Sequence, residues 1–470
     1  MFLNYFALSL LLGFITFLSR SRKLNYFLLF VFLVLQALMV SFVYQNIGVH
    51  YYDYFYIDSI GVIFFSLLSL IVAFDFYHSY KHLKKNPPVD IQHESRFWAA
   101  LILFITSIAG VYFSDNLAVL WVFLEATTLF VAILILYERN TFSLEAAWKY
   151  LFISSIGLAI AFMGILILSG LTDGNLNISE IWQNATTLNP AWIKIVFFLI
   201  VTGLSVKMES FPLYPVCVDA LGIAPPPVSA LMTTTLMNAG LIGVFRMFSV
   251  ILQTDSAEWA KSVLLIMGIL SVLIAAYKMS HVRFLERLLA FSSLEHVGVI
   301  LIAFSLGEAG LGIAIMYMIL HSLIKASLFF QADKISYIYH THKLRKIGHY
   351  FGYDQFGAIV FMIGFLGIAA IPPSGLFISE YLLIKAFIAQ GSYVVGIGLF
   401  TLLTIIVYFM GHNMMHLLFT EERECPVKVL TKPSTMESVM PFVLLLIMMY
   451  LAFLQPEFLY NLIRMAVPIS

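Results

Sequence analysis

Charged and titratable side chains recur inside long apolar runs of this sequence, where they need a chemical or structural reason to be. Glu125 lies within Trp121-Val122-Phe123-Leu124-Glu125-Ala126-Thr127-Thr128, Lys207 follows the apolar run from Ile195 to Val206, and Asn238 falls near the middle of another run. His321 and Lys325 are four residues apart, hence on one helical face. Glu295-His296 follows Ser292 and Ser293, and Glu380 comes five residues after Gly375. Each ionisable group at membrane depth costs about 2.5–3.5 kcal/mol on insertion scales. A helix-locking ion pair explains one or two of them, and a side chain reaching back to water suits Lys194 and Lys278 at span ends. Neither suits two lysines, two carboxylates and a histidine at similar depth on separate spans. Burial favours the neutral form of such groups and pairing restores the charge, so exchanging partners moves protons. The chemistry open to this row is a proton relay.

The elements that would position it are membrane spans. Of 470 residues 61% are hydrophobic and 11% charged, against roughly 45–50% and about 25% in soluble domains. The net charge is zero, with 26 basic and 26 acidic residues, which removes nucleic acid as a partner. Cys217 and Cys425 cannot supply four thiolates, and neither a phosphate loop nor a dinucleotide fingerprint occurs, so no metal or redox cofactor is expected. His412 and His416 have metal-like spacing but no third ligand nearby, and His340, His342 and His349 fall in a basic, solvated loop. The expected fold is an all-α polytopic membrane protein of about fourteen spans, near 3–19, 25–44, 57–76, 97–113, 116–136, 146–170, 191–210, 226–252, 260–278, 288–306, 309–337, 352–390, 393–419 and 437–457. The longest polar loops, 77–96 and 421–436, are too short to fold alone.

Two spans are interrupted. The stretch 352–390 contains Ile371-Pro372-Pro373-Ser374-Gly375 and reads as two half-helices, and 191–210 is broken beyond its end by Pro212 and Pro215. Basic residues gather in alternate loops: Arg20, Arg22 and Lys23; Lys81, Lys84 and Lys85; Arg139; Lys278, Arg283 and Arg287; Lys343, Arg345 and Lys346; Arg423, Lys428 and Lys432. That pattern predicts both termini on the non-cytoplasmic side, with 211–225 the one cytoplasmic loop lacking basic residues. The two breaks lie five spans apart, and an odd offset reverses orientation, so spans 4–8 and 9–13 are expected to form two inverted five-helix repeats, each with a broken helix. The organisation expected is 1–96 as an N-terminal three-helix segment, 97–252 and 253–420 as the repeats, and 421–470 as a loop and last helix.

These residues carry a resemblance. The stretch Lys207…Pro212…Asp219-Ala220…Ala224-Pro225…Pro227-Val228-Ser229-Ala230-Leu231 resembles the signature of the antiporter-like, proton-translocating membrane subunits of respiratory complex I, Mrp-type cation/proton antiporters and membrane-bound hydrogenases. Leu288 to His296, His321-Ser322-Leu323-Ile324-Lys325-Ala326, Pro372-Pro373-Ser374-Gly375 and Ser379-Glu380 extend it in order over most of 97–420. Phe123 to Leu129 and Glu145 to Tyr150 look most like the hydrogenase-4/formate-hydrogenlyase type. The resemblance implies that Glu125 and Lys207 are a first half-channel pair, that Lys325 with His321 is the central connection, and that Glu380 ends the second half-channel. It departs from the family at Tyr214, Val216, Val218 and Leu221, where a His-x-Trp-x-Pro-Asp-Ala-His pattern is usual, and at Asn238, which cannot store a proton.

The function expected is an ion-translocating subunit, in the first place for protons and otherwise for sodium, of a complex-I-related oxidoreductase such as a membrane-bound hydrogenase. It would catalyse no redox step itself. Translocation residues would be Glu125, Lys207, Asn238, His296, His321, Lys325 and Glu380. Partners would be further membrane subunits and a peripheral redox module, in a bacterial or archaeal plasma membrane. A subunit of an Mrp-type antiporter or ion-coupled uptake system, and a structural anchor whose charges only lock helices, are the alternatives.

Overall fold

A computed structural model of the chain describes residues 1–87, 90–420 and 434–467. Cys425, Arg423, Lys428 and Lys432, with most of the 421–436 loop, lie outside the described residues.

Apolar chain in lipid can satisfy its backbone within itself only as helix, and nearly all of this chain does so. In order come α1 (Phe2–Leu18), α2 (Arg22–Gln45), α3 (Ser59–Lys85), α4 (Ile91–Phe113), α5 (Leu117–Ile135), α6 (Thr141–Leu171), α7 (Ile178–Gln183), α8 (Pro190–Leu204), α9 (Pro215–Leu221) and α10 (Pro226–Leu231). Then follow α11 (Met237–Ile251), α12 (Ala257–Met279), α13 (Leu285–Phe304), α14 (Glu308–Tyr339), α15 (Tyr350–Tyr353), α16 (Gln355–Ile368), α17 (Gly375–Ala389), α18 (Tyr393–Phe419), α19 (Thr435–Leu454) and α20 (Glu457–Ala466). A small antiparallel hairpin, β1 (His50–Tyr51) on β2 (Phe55–Tyr56), lies between α2 and α3.

Among the described residues eleven helices are long and apolar enough to cross a membrane, with Pro226–Ile251 counted as one. Shorter apolar helices, α1, α8 and α16, fall on the three remaining predicted spans. The unit Pro226–Ile251 is buried except at Ser249, whereas α18 turns most of its surface outward through Val394, Ile397, Phe400 and Tyr408. The middle of the bundle is therefore α10, α11, α13 and α14.

The structure corrects the sequence reading at four places. First, α3 runs on to Lys85 and α4 starts at Ile91, so most of the 77–96 loop is helix. Its polar residues His78, Ser79 and His82 are buried rather than solvated, because they find partners inside the bundle. Second, α8 stops at Leu204, which leaves Lys207 in the break itself. Third, the stretch 211–225 contains a short helix, α9, which buries Val216, Cys217, Val218, Ala220 and Leu221. Fourth, a π-helical turn, Met232–Leu236, separates α10 from α11 just before Asn238. The amphipathic α20, beyond the last predicted span, packs on α3 and α14.

Freed backbone groups at the breaks are satisfied locally. The Phe211 N–H donates to Ser271 Oγ at 3.0 Å, and the Cys217 thiol donates to the Val206 carbonyl at 2.7 Å. At the second break the Ile371 N–H reaches the Leu366 carbonyl at 3.0 Å, and Ser374 caps α17 by accepting from the Phe377 N–H at 3.2 Å. Where α6 crosses α8 the backbones touch: a Cβ on Gly203 would stand 2.5 Å from the Ala161 nitrogen and the Gly157 oxygen. Arg246 closes the C-terminal end of α4, donating to the carbonyls of Tyr112 (2.6 Å), Val111 (3.2 Å) and Ser114 while pairing with Asp58 at 3.0 Å.

Candidate ion-translocation site

The first group surrounds Lys207. Its ammonium donates to Thr128 Oγ1 on α5 at 2.7 Å and to the Tyr150 hydroxyl on α6 at 3.2 Å, and lies 5.2 Å from the Tyr150 ring centroid. Glu125, one turn before Thr128, accepts instead from Ser155 Oγ at 2.6 Å, and its other oxygen is buried without a partner. Glu125 and Lys207 thus share one chamber, each held by hydroxyls, and are not ion-paired. Gly240 on α11 lets this backbone come close, since a Cβ there would stand 2.9 Å from the Met208 nitrogen.

Glu209, which the sequence reading passed over, is buried two residues further on, at a left-handed φ of +61°. One carboxylate oxygen has no partner, and the side chain faces Thr233 and Ser293, whose hydroxyls meet at 2.5 Å. The carboxylate also feels the Lys325 ammonium. Lys325 is completely buried on α14 and donates to the Leu289 carbonyl and the Ser292 hydroxyl of α13. The adjacent Ser292 and Ser293 therefore connect Lys325 with Glu209. Asn238 stands beside this route: its amide donates to Ser322 Oγ at 2.9 Å, and its carbonyl oxygen is unpartnered.

The second group begins at His321, four residues before Lys325. Both His321 ring nitrogens are unpartnered, and its ring lies 5.0 Å from that of His296. His296 Nδ1 is 2.6 Å from the Tyr317 hydroxyl, which donates to Glu380 Oε1 at 3.1 Å. With that order the imidazole hydrogen is on Nδ1, and Nε2, 3.2 Å from Glu295 Oε2, makes no hydrogen bond. The sequence points to Glu295 beside His296 without giving it a role and does not point to Tyr317; their spacing from His296 and Glu380 appears only once α13, α14 and α17 are packed. Between Glu295, Glu380 and α18 is a cavity of ≈10 Å³, room for about one water. One residue from Glu380, Ser379 lines a cavity of ≈410 Å³ with Glu308, Gln455 and Arg464, between α14, α17, α19 and α20.

Among the described residues Glu295, His296 and Glu380 are the group able to hold a cation, with one ligand atom from each within 4.8 Å of the others. His412 and His416 join no such group.

The chain matches the family model for the NADH:quinone oxidoreductase/Mrp antiporter transmembrane region over residues 114–407. It is 30% identical over 369 residues to a hydrogenase-4 component F homolog of Methylacidiphilum infernorum, covering 75% of this chain and 77% of that one. Identity is 27% over 341 residues to hydrogenase-4 component B of Escherichia coli, with 69% of this chain and 49% of that protein covered. It is 26% over 342 residues to Na(+)/H(+) antiporter subunit A1 of Staphylococcus aureus, with 69% and 41% covered. The chain therefore spans less than half the length of the last two. A chain of the membrane-bound sulfane sulfur reductase, an archaeal respiratory membrane complex, superposes with a TM-score of 0.87 at 20% identity over 98% of this chain and 96% of that one. A chain of the Mrp complex from a Dietzia species does so with 0.85 at 17% identity over 99% and 96%.

Proposed function

The chain belongs to the NADH:quinone oxidoreductase/Mrp antiporter transmembrane family, and from this we propose that it is the ion-translocating membrane subunit of a complex-I-related assembly of the hydrogenase type. The observation that carries the reading is the buried row Lys207, Glu209, Lys325, His321, His296 and Glu380, with hydroxyls beside Lys325 and Glu209 and between His296 and Glu380, reaching from one broken helix to the other. A structural anchor needs locked pairs, whereas here Glu125 and Lys207 stand apart and His321 has no partner at all.

In the cycle we infer, Lys207 exchanges Thr128 and Tyr150 for Glu125 and so takes up or releases a proton. The proton passes by Glu209 and the Thr233, Ser293 and Ser292 hydroxyls to Lys325, alongside Asn238. His321 and His296 carry it on to Glu295 and, through the Tyr317 hydroxyl, to Glu380. Ser379 and the ≈410 Å³ cavity offer the way out. Spans 4–8 and 9–13 are read as the two inverted repeats, both termini as non-cytoplasmic, and a peripheral redox module as the source of the driving energy. An Mrp-type antiporter subunit is the second reading, favoured by the likeness to antiporter subunit A1. The two carboxylates of the Glu295–His296–Glu380 group are the oxygen ligands such a reading would use for a cation.

The test uses the complex purified through a tag on this chain and reconstituted in vesicles containing a pH dye. A potassium gradient with valinomycin supplies the driving potential, in sodium and in choline buffers. Lys207→Ala and Glu380→Gln should co-purify with the partners and lose proton flux. Wild-type flux in both assembled variants refutes the reading, and flux that requires sodium moves it to the antiporter alternative. Mass spectrometry of the partners separates redox subunits from antiporter subunits.

A further inference from the structure

A further cavity, of ≈180 Å³, opens away from the row, between the first turns of α4 and the end of α5. Its polar lining is His93, Arg96, Tyr137 and Arg139, and Phe97 and Ile133 form part of its apolar wall. It lies on the membrane face that carries the basic loops, one of which begins at Arg139. His93 is buried, its ring is stacked on Tyr137 at 4.7 Å, and its Nδ1 has no partner. Arg96 and Arg139 are exposed, and both guanidiniums are near enough to act electrostatically on the His93 ring.

Cations that share a cavity repel one another unless an anion stands between them. The carboxylates nearby are engaged elsewhere. Asp90 caps α4 by accepting from the His93 N–H at 2.6 Å, Glu94 holds Arg22 at 2.8 Å and the Tyr26 hydroxyl at 3.0 Å, and Glu138 accepts from Asn140 Nδ2 at 3.0 Å. Among the described residues neither Arg96 nor Arg139 has an ion-pair or side-chain hydrogen-bond partner. Arg139 also holds a left-handed φ of +52°, which an arginine adopts less readily than an asparagine. Beside the two cations the outer surface of α5 is apolar. Ile133, Leu129 and Val122 are exposed and four and seven residues apart, which makes one stripe running from the cavity into the bilayer. The unpaired cations call for an anion, and the stripe continuous with them calls for hydrocarbon on the same ligand.

We propose that this cavity binds the phosphate headgroup of an anionic phospholipid, with an acyl chain laid along Ile133, Leu129 and Val122. Guanidinium forks fit phosphate oxygens two at a time, and basic pockets at the ends of neighbouring spans take such headgroups. Arg96 and Arg139 approach from two helices, and His93 on the cavity wall has Nδ1 free to donate as a third partner. The bound lipid ties the start of α4 to the turn after α5, the helix that carries Glu125 and Thr128. The site stands whichever ion the row moves.

The test is thermal unfolding of the complex, purified through a tag on this chain, in detergent with graded phosphatidylglycerol, phosphatidylcholine or inorganic phosphate. Phosphatidylglycerol should raise the melting temperature of the wild type. The double variant Arg96→Gln with Arg139→Asn should need about tenfold or more of it for half of that rise. Asparagine is at ease in the left-handed region, so weaker binding there does not come from added backbone strain. Phosphatidylcholine should not distinguish wild type from variant. An unchanged half-saturation in the double variant overturns the site, as does a wild type that phosphatidylglycerol fails to stabilise because a partner subunit covers this face. Arginine-dependent stabilisation by inorganic phosphate equal to that by phosphatidylglycerol overturns the lipid and leaves a free-anion site. Should the double variant fail to assemble, Arg96→Gln and Arg139→Asn taken singly should each weaken the response severalfold, and unchanged responses in both overturn the site.

Discussion

Replacing Thr128 by valine should trap Lys207. The Thr128 hydroxyl accepts from the ammonium at 2.7 Å, one of two hydroxyls that hold the lysine away from Glu125. A hydrogen bond to a charged group is worth about 1.5–3 kcal/mol. At roughly 1.4 kcal/mol per factor of ten, its loss shifts the balance about 10- to 100-fold toward a Lys207–Glu125 pair. Valine preserves the volume, so the ammonium is released without opening a void. Flux in the vesicle assay should fall by about the same 10- to 100-fold, because a proton committed to that pair is not passed to Glu209. Ser155→Ala frees Glu125 from its 2.6 Å hydrogen bond and should act in the same direction through the other partner. The double-mutant cycle should show coupling between the two sites, since both changes favour one pair. Wild-type flux in an assembled Thr128→Val complex, with Glu125→Gln inactive, refutes partner exchange at Lys207.

Further outcomes follow from other contacts. Tyr317→Phe removes the hydroxyl between His296 Nδ1 and Glu380, so flux should fall by about tenfold or more with assembly unchanged. Gly203→Ala puts a methyl 2.5 Å from the α6 backbone, so α6 and α8 must part, and thermal unfolding in detergent should report a loss of about 1–3 kcal/mol. Arg246→Met leaves Asp58 and the α4 carbonyls without their cation, and should cost about 3–5 kcal/mol, read as a lower melting temperature. His342, in the loop after α14, accepts a proton more readily because its ring donates to Glu286 at 2.7 Å. Its stabilisation is complete below the ordinary histidine value of about 6.5 and is lost as pH rises through the raised value. Melting temperatures of wild type and His342→Gln should therefore converge toward high pH; a constant gap would refute the pairing.

The spans were legible because an apolar run of membrane length has one way to satisfy its backbone, and Lys207, Lys325 and Glu380 were legible because charge inside such a run is conspicuous. Glu209 was not, since Met208, Ser210 and Pro212 around it read as the frayed edge of a span. Only the left-handed turn that aims it inward makes it interior. Asp75, His78 and His82 were hidden for the opposite reason: their polarity looks like a loop until α14 supplies Asp333 and Phe330 as partners. Asn238 is conspicuous as a polar residue in an apolar run, but only packing shows its amide donating to Ser322 and Glu209 facing Lys325 nearby. Hydropathy reports the average environment of a segment; a relay depends on which single faces meet.

The crossing at Gly203 and Gly157 has a mechanical meaning. Side chains between two helices act as bearings, letting one slide or roll over the other; α6 and α8 have none at this point, so the C-terminal end of α8 is clamped. Lys207 stands four residues past the clamp at Gly203, between Tyr150 of α6 and Thr128 of α5. A methyl at this crossing would force α6 and α8 apart. The butylammonium arm itself is what can travel, between Thr128 and Glu125 of α5 and Tyr150 of α6.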